Sequence, residues 1–329
     1  MQDKPLILTA ADARALPERE RVGLAVARLD SARLVKTIIA AETAGVRQIW
    51  STQSPLQPDT LTTFAAAAVQ TREIRLGTAI VPTYPRHPLI MASQALAINE
   101  LAPGRLRLGI GSSHKPIIEG IYGLELVKPL EYLREYITIV RASLWDGQVD
   151  FQGKFLTARG TLPDKAPLPL LTSVLRENAF KLAGEISDGA ISWLCPVPYL
   201  LKTGLPALRA SAKEHGRAAP PLVAHVLAAA SEDRPAVIQA ARAEIKGYGK
   251  LPFYASMFAD AGYPVDANGT MSDALIESLV VSGSPATIAA RFRELLASDL
   301  DELLVMPIAV QQAEGELSQL MSTIGSLPA

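Results

Sequence analysis

Residues 72–111 read REIRLGTAIVPTYPRHPLIMASQALAINELAPGRLRLGIG, and this stretch decides the fold class. IRLGTAIV and RLRLGIG are aliphatic runs of strand length. Between them, LIMASQALAINELA has helix-forming composition and stops at the Pro103–Gly104 turn. Strand, helix and strand in that order form the repeating unit of a parallel sheet.

The same rhythm extends in both directions. Upstream, VGLAVA (22–27) precedes a helix that opens at Asp30 and stops at Gly45, and VRQIW (46–50) precedes a helix over 59–71. Downstream, Leu130, Leu133, Ile137, Val140 and Leu144 recur at helical spacing. LPLLT then pairs with ENAFKLAGEI, GAISW with a helix after Pro198, and PLVAHVLAAA with a helix after Asp233. LDELLVM is the last strand. A count near eight predicts an α/β fold, a (β/α)₈ TIM barrel over 1–329, of which about 250 residues would form the barrel. The remainder is expected as insertions near 112–128, 147–166 and 247–282, with a small hairpin starting at Gly147 and short helices in 247–282. A doubly wound sheet with a helical domain would require a composition break in mid-chain, and the sequence has none.

Composition narrows the function classes. The chain has 329 residues, 49% of them hydrophobic and only 5% aromatic, and 32 Lys and Arg against 33 Asp and Glu give a net charge of -1. This is not the basic footprint of a nucleic-acid binder. Cys195 is the one cysteine, which rules out an intrachain disulfide and a multi-thiolate metal site and points to a reducing compartment. No uncharged apolar run reaches the roughly 18 residues of a membrane span, and the N-terminus has no extended apolar region, so a cytoplasmic protein without a membrane partner is expected.

In a barrel, chemistry collects in the loops after the strands. Four such loops are unusual: Trp50, Ser51, Thr52 and Gln53; Gly77, Thr78, Ala79 and Ile80 leading into a path fixed by Pro82, Pro85 and Pro88 around Tyr84 and His87; Gly109 and Gly111 leading to Ser112, Ser113 and His114; and Thr172, Ser173, Val174, Leu175 and Arg176 ahead of a helix. The helix after Arg176 offers unpaired amides and a positive end to a phosphate, with Arg176 adding charge-assisted bonds. A serine cap beside a solvent-exposed arginine is the competing account of the same residues. The glycine pair lacks the third glycine of a dinucleotide fingerprint, His114 standing in its place. Of the four histidines, His215 reads as a helix-end residue and His225 as a structural residue in an apolar strand, whereas His87 and His114 fall in mouth loops. No histidine–carboxylate spacing fits a metal site, and neither a nucleophile elbow nor a Walker sequence occurs. Cys195 reads as a small packing residue, and Glu131 with Glu135 as a solvated helix face.

The blocks IRLGTAIVPTYPRHPLIMASQALAINELAPGRLRLGIGSSHKPIIEG, PLEYLREYITIVRASLWDG and LAGEISDGAISW resemble the luciferase-like oxidoreductases, specifically their coenzyme F420-dependent branch. The resemblance covers nearly the whole chain. It implies an insertion-bearing barrel, dimeric in many members, with coenzyme F420 or FMN in the mouth and the cofactor phosphate near the helix after strand five. It also implies a bulge after strand three with a non-proline cis peptide, here between Ala79 and Ile80. On this basis Gln53, Thr78, Ala79, Ile80, Ser112, Ser113, Thr172, Ser173, Val174, Leu175 and Arg176 are expected to bind the cofactor, and His114 or Tyr84 to lie nearest the substrate. Two departures stand out: Thr52–Gln53 replaces an Asp–His pair found in many relatives, and Leu175–Arg176 replaces a Gly–Pro element. The implied activity is hydride transfer between reduced F420 and a small organic substrate. The alternatives are an FMN-dependent monooxygenase, for which a separate cofactor reductase would be a partner, and a flavin-binding barrel without turnover.

Overall fold

The computed structural model describes residues 5–329; Met1 to Lys4 of the N-terminal segment lie outside the described residues. Eight strands close a parallel barrel: β1 (Val22–Val26), β2 (Gln48–Ser51), β3 (Arg75–Thr78), β4 (Leu106–Gly111), β5 (Leu170–Val174), β6 (Gly189–Ser192), β7 (Leu222–Ala229) and β8 (Glu302–Pro307). Each pairs in parallel with the next, and β8 returns to β1 through Val22 opposite Leu303. Around it run α1 (Ser31–Thr43), α2 (Thr60–Ala68), α3 (Pro88–Leu101), α4 (Pro129–Arg141), α5 (Glu177–Ile186), α6 (Leu205–Glu214) and α7 (Arg234–Ile245). Then come α8 (Pro252–Asp260), α9 (Asp273–Leu279), α10 (Pro285–Ala297) and α11 (Ala313–Gly325). Local chemistry sets the starts. Asp30, Asp59 and Asp233 each accept a backbone N–H from three residues on, at the first turns of α1, α2 and α7.

The segments between barrel units take definite forms. The hairpin pairs Gln148–Gln152 with Thr157–Thr161, and its turn is held by Glu135, whose carboxylate accepts N–H groups from Lys154, Phe155 and Leu156. Glu135 is therefore an anchor and not merely part of a solvated face. Within 247–282, α8 and α9 are the short helices, but Val280–Ser282 is a strand, paired in parallel with the end of β7.

Side chains alternate between barrel interior and helix layer, as the period of two requires. Inside, Trp50 lies across the barrel with Ala25, Leu171, Ile191, Val223 and Leu304. Glycine is needed opposite it: a Cβ on Gly77 would stand 2.2 Å from the Trp50 ring. Trp50 thus belongs to the filled interior, and the mouth loop begins only after it. Below Trp50, Arg107 makes a two-pronged bond to Glu302, 2.6 and 2.7 Å, shared with Gln48, and its guanidinium lies 4.9 Å from the Trp50 ring centre. This charged layer fills the end of the barrel where the strands start, and among the described residues a wide cavity opens at the strand C-termini.

Candidate functional site

A cavity of about 960 Å³ occupies that opening. Its volume lies within the roughly 300–1,000 Å³ usual for cofactor and ligand sites. Gln53, Ala79, Ile80, Ser112, Ser113, His114, Ser173, Val174, Leu175 and Arg176 all line it. β3 breaks after Thr78, and the Ala79–Ile80 peptide is cis, in the place the resemblance implies. The break is held from both sides: the Gln53 N–H donates to the Ile80 carbonyl at 3.1 Å and the Ala79 N–H to that of Ser51 at 2.9 Å. The Gln53 amide is otherwise occupied, accepting from the Thr60 N–H at the start of α2 and donating to the Ser54 carbonyl.

Thr78, Thr172 and Tyr84 lie elsewhere, and their expected roles at the ligand need correction. Strand parity explains the threonines, since Leu171 and Ser173 face the interior and Thr172 between them faces the helix layer. Thr78 is buried and bridges to β4, donating to the Gly109 carbonyl and accepting the Gly109 N–H. Tyr84 turns away from the mouth, stacks on Tyr132 with ring centres 4.1 Å apart, and donates to the Val127 carbonyl at 2.6 Å. Burial pushes its hydroxyl up to about 12, so it holds its proton at neutral pH. Tyr84 is a strut for the 112–128 segment. Tyr84→Phe is expected to lower unfolding free energy by about 1 kcal/mol, the worth of one hydrogen bond, while leaving ligand affinity unchanged; urea unfolding and ligand titration of the variant check both parts.

His114 is the histidine that faces the cavity. Its Nδ1 is buried without a hydrogen-bond partner, its ring centre lies 5.5 Å from that of Tyr254, and burial holds the imidazole below its ordinary value, neutral at pH 7. His87 instead caps α3 through Nδ1, and His215 sits at the end of α6 against the Ser211 carbonyl. His225 is structural. Its Nδ1 accepts the Leu194 N–H at 3.3 Å, its ring lies 3.9 Å from that of Trp193, and burial lowers it to about 3. Because the unfolded imidazole takes up a proton near 6.5 and the folded one does not, stability is full above that pH and falls as pH drops toward 3. His114 contributes with the same sign. Urea unfolding at pH 7 and pH 5 is expected to show this loss, with a shallower slope in His225→Leu.

Arg176 lines the cavity but its guanidinium is paired with Asp260 of α8 at 2.7 Å, and it stands at the start of α5, which has no side-chain cap. The free amides of that helix end attract anions, as do those at the starts of α4 and α8, which also lack a side-chain cap and whose first turns line the cavity. Cys195 is buried, and burial pushes its thiol up to about 12, in keeping with packing. The sequence reading missed Trp193, Met306 and the aromatic residues Tyr248, Phe253 and Tyr254, all of which line the cavity. Trp193 and Met306 follow the same strand-end rule as the residues it found. The other three come from the irregular 247–282 segment, where no period marks them. Among the described residues, no group of three or more His, Cys, Asp or Glu could hold a metal ion, and no helix is long and apolar enough to cross a membrane.

The family model described as luciferase-like monooxygenase matches residues 12–302. The chain belongs to the luciferase-like monooxygenase family. It is accordingly an oxidoreductase of a family whose members work with coenzyme F420 or FMN. An F420-dependent glucose-6-phosphate dehydrogenase of Nakamurella multipartita is 30% identical over 178 residues, 52% of each chain. Two solved structures share the fold. An F420-dependent secondary alcohol dehydrogenase in complex with an F420–acetone adduct has a TM-score of 0.78 at 15% identity, covering 94% of this chain and 99% of that one. A type II Baeyer–Villiger monooxygenase of Pseudomonas putida, in complex with FMN, has a TM-score of 0.70 at 18% identity, covering 91% and 92%.

Proposed function

We propose that this protein transfers a hydride between reduced coenzyme F420 and a small organic substrate. The observation that carries the reading is the combination, in one cavity, of an apolar floor (Ala79, Ile80, Ile191 and Met306) with the uncapped start of α5 on one wall. The floor suits a flat ring, and the helix end suits the phosphate that both F420 and FMN carry. F420 is favoured by the F420-dependent relative named above.

When bound, a deazaflavin supplies the hydride, and the protein contributes position and electrostatics. In this reading Ala79 and Ile80 support the ring, while Ser173 and the α5 amides hold the phosphate. Neutral His114 would donate a hydrogen bond to a substrate oxygen or nitrogen whose neighbouring carbon gains the hydride, that atom then taking its proton from solvent. Gln53, its amide engaged with α2, orients the loop and does not move a proton. Titration of the protein with F420 and with FMN tests the cofactor assignment: tighter binding of F420 is expected, and tight FMN binding with negligible F420 binding would replace it with the flavin monooxygenase reading.

A further inference from the structure

The charged groups of the cavity are already matched with one another. Three cations line it, and each has a carboxylate: Arg28 pairs with Glu244, Arg176 with Asp260 at 2.7 Å, and Lys128 lies 3.8 Å from Glu131. The remaining acid, Glu177, is bound by Lys181 at 2.6 Å. Three helices start on the wall without a side-chain cap, α4 after Lys128, α5 after Arg176 and α8 after Leu251, and in the function proposed above the cofactor phosphate takes the start of α5.

The wall formed by the 247–282 segment has a different character. From His114 a continuous run of rings passes through Tyr254, 5.5 Å away, to Tyr248, packed edge-on at 4.8 Å. Tyr248 in turn lies within hydrogen-bonding reach of the Trp193 indole. Phe253, on α8, lines the same cavity and is 43% exposed. Rings arranged around an apolar floor favour flat partners through burial and stacking.

We infer that the substrate is a flat cyclic compound, aromatic or conjugated, clasped by Trp193, Tyr248, Phe253 and Tyr254. The inference rests on the F420 reading only in placing substrate and cofactor in the same cavity. It separates this chain from its glucose-6-phosphate dehydrogenase relative, whose named substrate is a sugar phosphate without a flat ring.

Calorimetric titration of the full-length protein, with and without F420, tests it using coumarin and glucose 6-phosphate as probes. Coumarin is expected to bind. Glucose 6-phosphate, which has no flat ring, should bind roughly a hundredfold more weakly in the F420-loaded protein. Phe253→Ala, a change at an exposed position, should weaken coumarin about tenfold. Absence of coumarin binding, equal or tighter binding of glucose 6-phosphate with F420 present, or an unchanged Phe253→Ala variant would overturn the inference. Absorbance of F420 in the same samples reports cofactor binding separately. Coumarin binding without F420 binding would overturn the cofactor reading and leave the aromatic clasp standing.

Discussion

Replacing Glu302 with alanine is expected to destabilise the protein by about 3–5 kcal/mol, because it strands a buried guanidinium. Arg107 and Glu302 are 2% and 1% exposed, and both carboxylate oxygens of Glu302 accept from Arg107. Gln48 is tied into the same layer: it donates to Glu302, accepts from Arg107, and bonds the Glu20 carbonyl. Removing the acid leaves Arg107 facing the Trp50 ring and one amide oxygen, which cannot replace a carboxylate. The pair itself need not add net stability, since its desolvation offsets most of its attraction. Arg107→Met combined with Glu302→Leu should therefore recover most of the loss. Urea unfolding of the three variants measures this. A single-variant loss under about 1 kcal/mol would mean that water reaches the closed end of the barrel.

Gly111→Val is expected to weaken cofactor binding by about 10- to 100-fold while the barrel still folds. A Cβ at residue 111 would stand 2.2 Å from the Ser173 hydroxyl and 3.2 Å from Ile80 Cγ1, between two residues of the cavity lining. The serine hydroxyl can rotate away, so the fold tolerates the change. The valine methyl groups would then take the space above the strand-three break. Circular dichroism and equilibrium titration separate the two effects, and unchanged affinity in a folded variant would move the ring away from this face.

The barrel was legible because its evidence is periodic and repeated. Aliphatic runs, Asp caps at 30, 59 and 233, and glycine stops recur in the same order, so a displaced boundary does not alter the count. Val280–Ser282 escaped because three residues at the end of an irregular segment carry too little pattern to stand out. At the site, loop position found the region but could not orient each side chain. Strand parity, visible in the sequence once Leu171 and Ser173 are assigned to the interior, would have removed Thr172. Tyr84 could not be removed in this way, because its direction depends on stacking with Tyr132, 48 residues later in the chain. The aromatic wall was invisible for the same reason: Tyr248 and Tyr254 reach the mouth through the tertiary path of an insertion, and no local period records that path.

The most direct test of the central claim is a single-turnover experiment under strict anaerobiosis, in which the protein is mixed with reduced F420 and a conjugated cyclic ketone and the return of oxidised F420 absorbance is followed. Hydride transfer predicts oxidised cofactor and two-electron-reduced product in equal amounts without oxygen, at a rate lowered in His114→Leu. Product that forms only when oxygen is admitted, and with reduced FMN in place of F420, would contradict it.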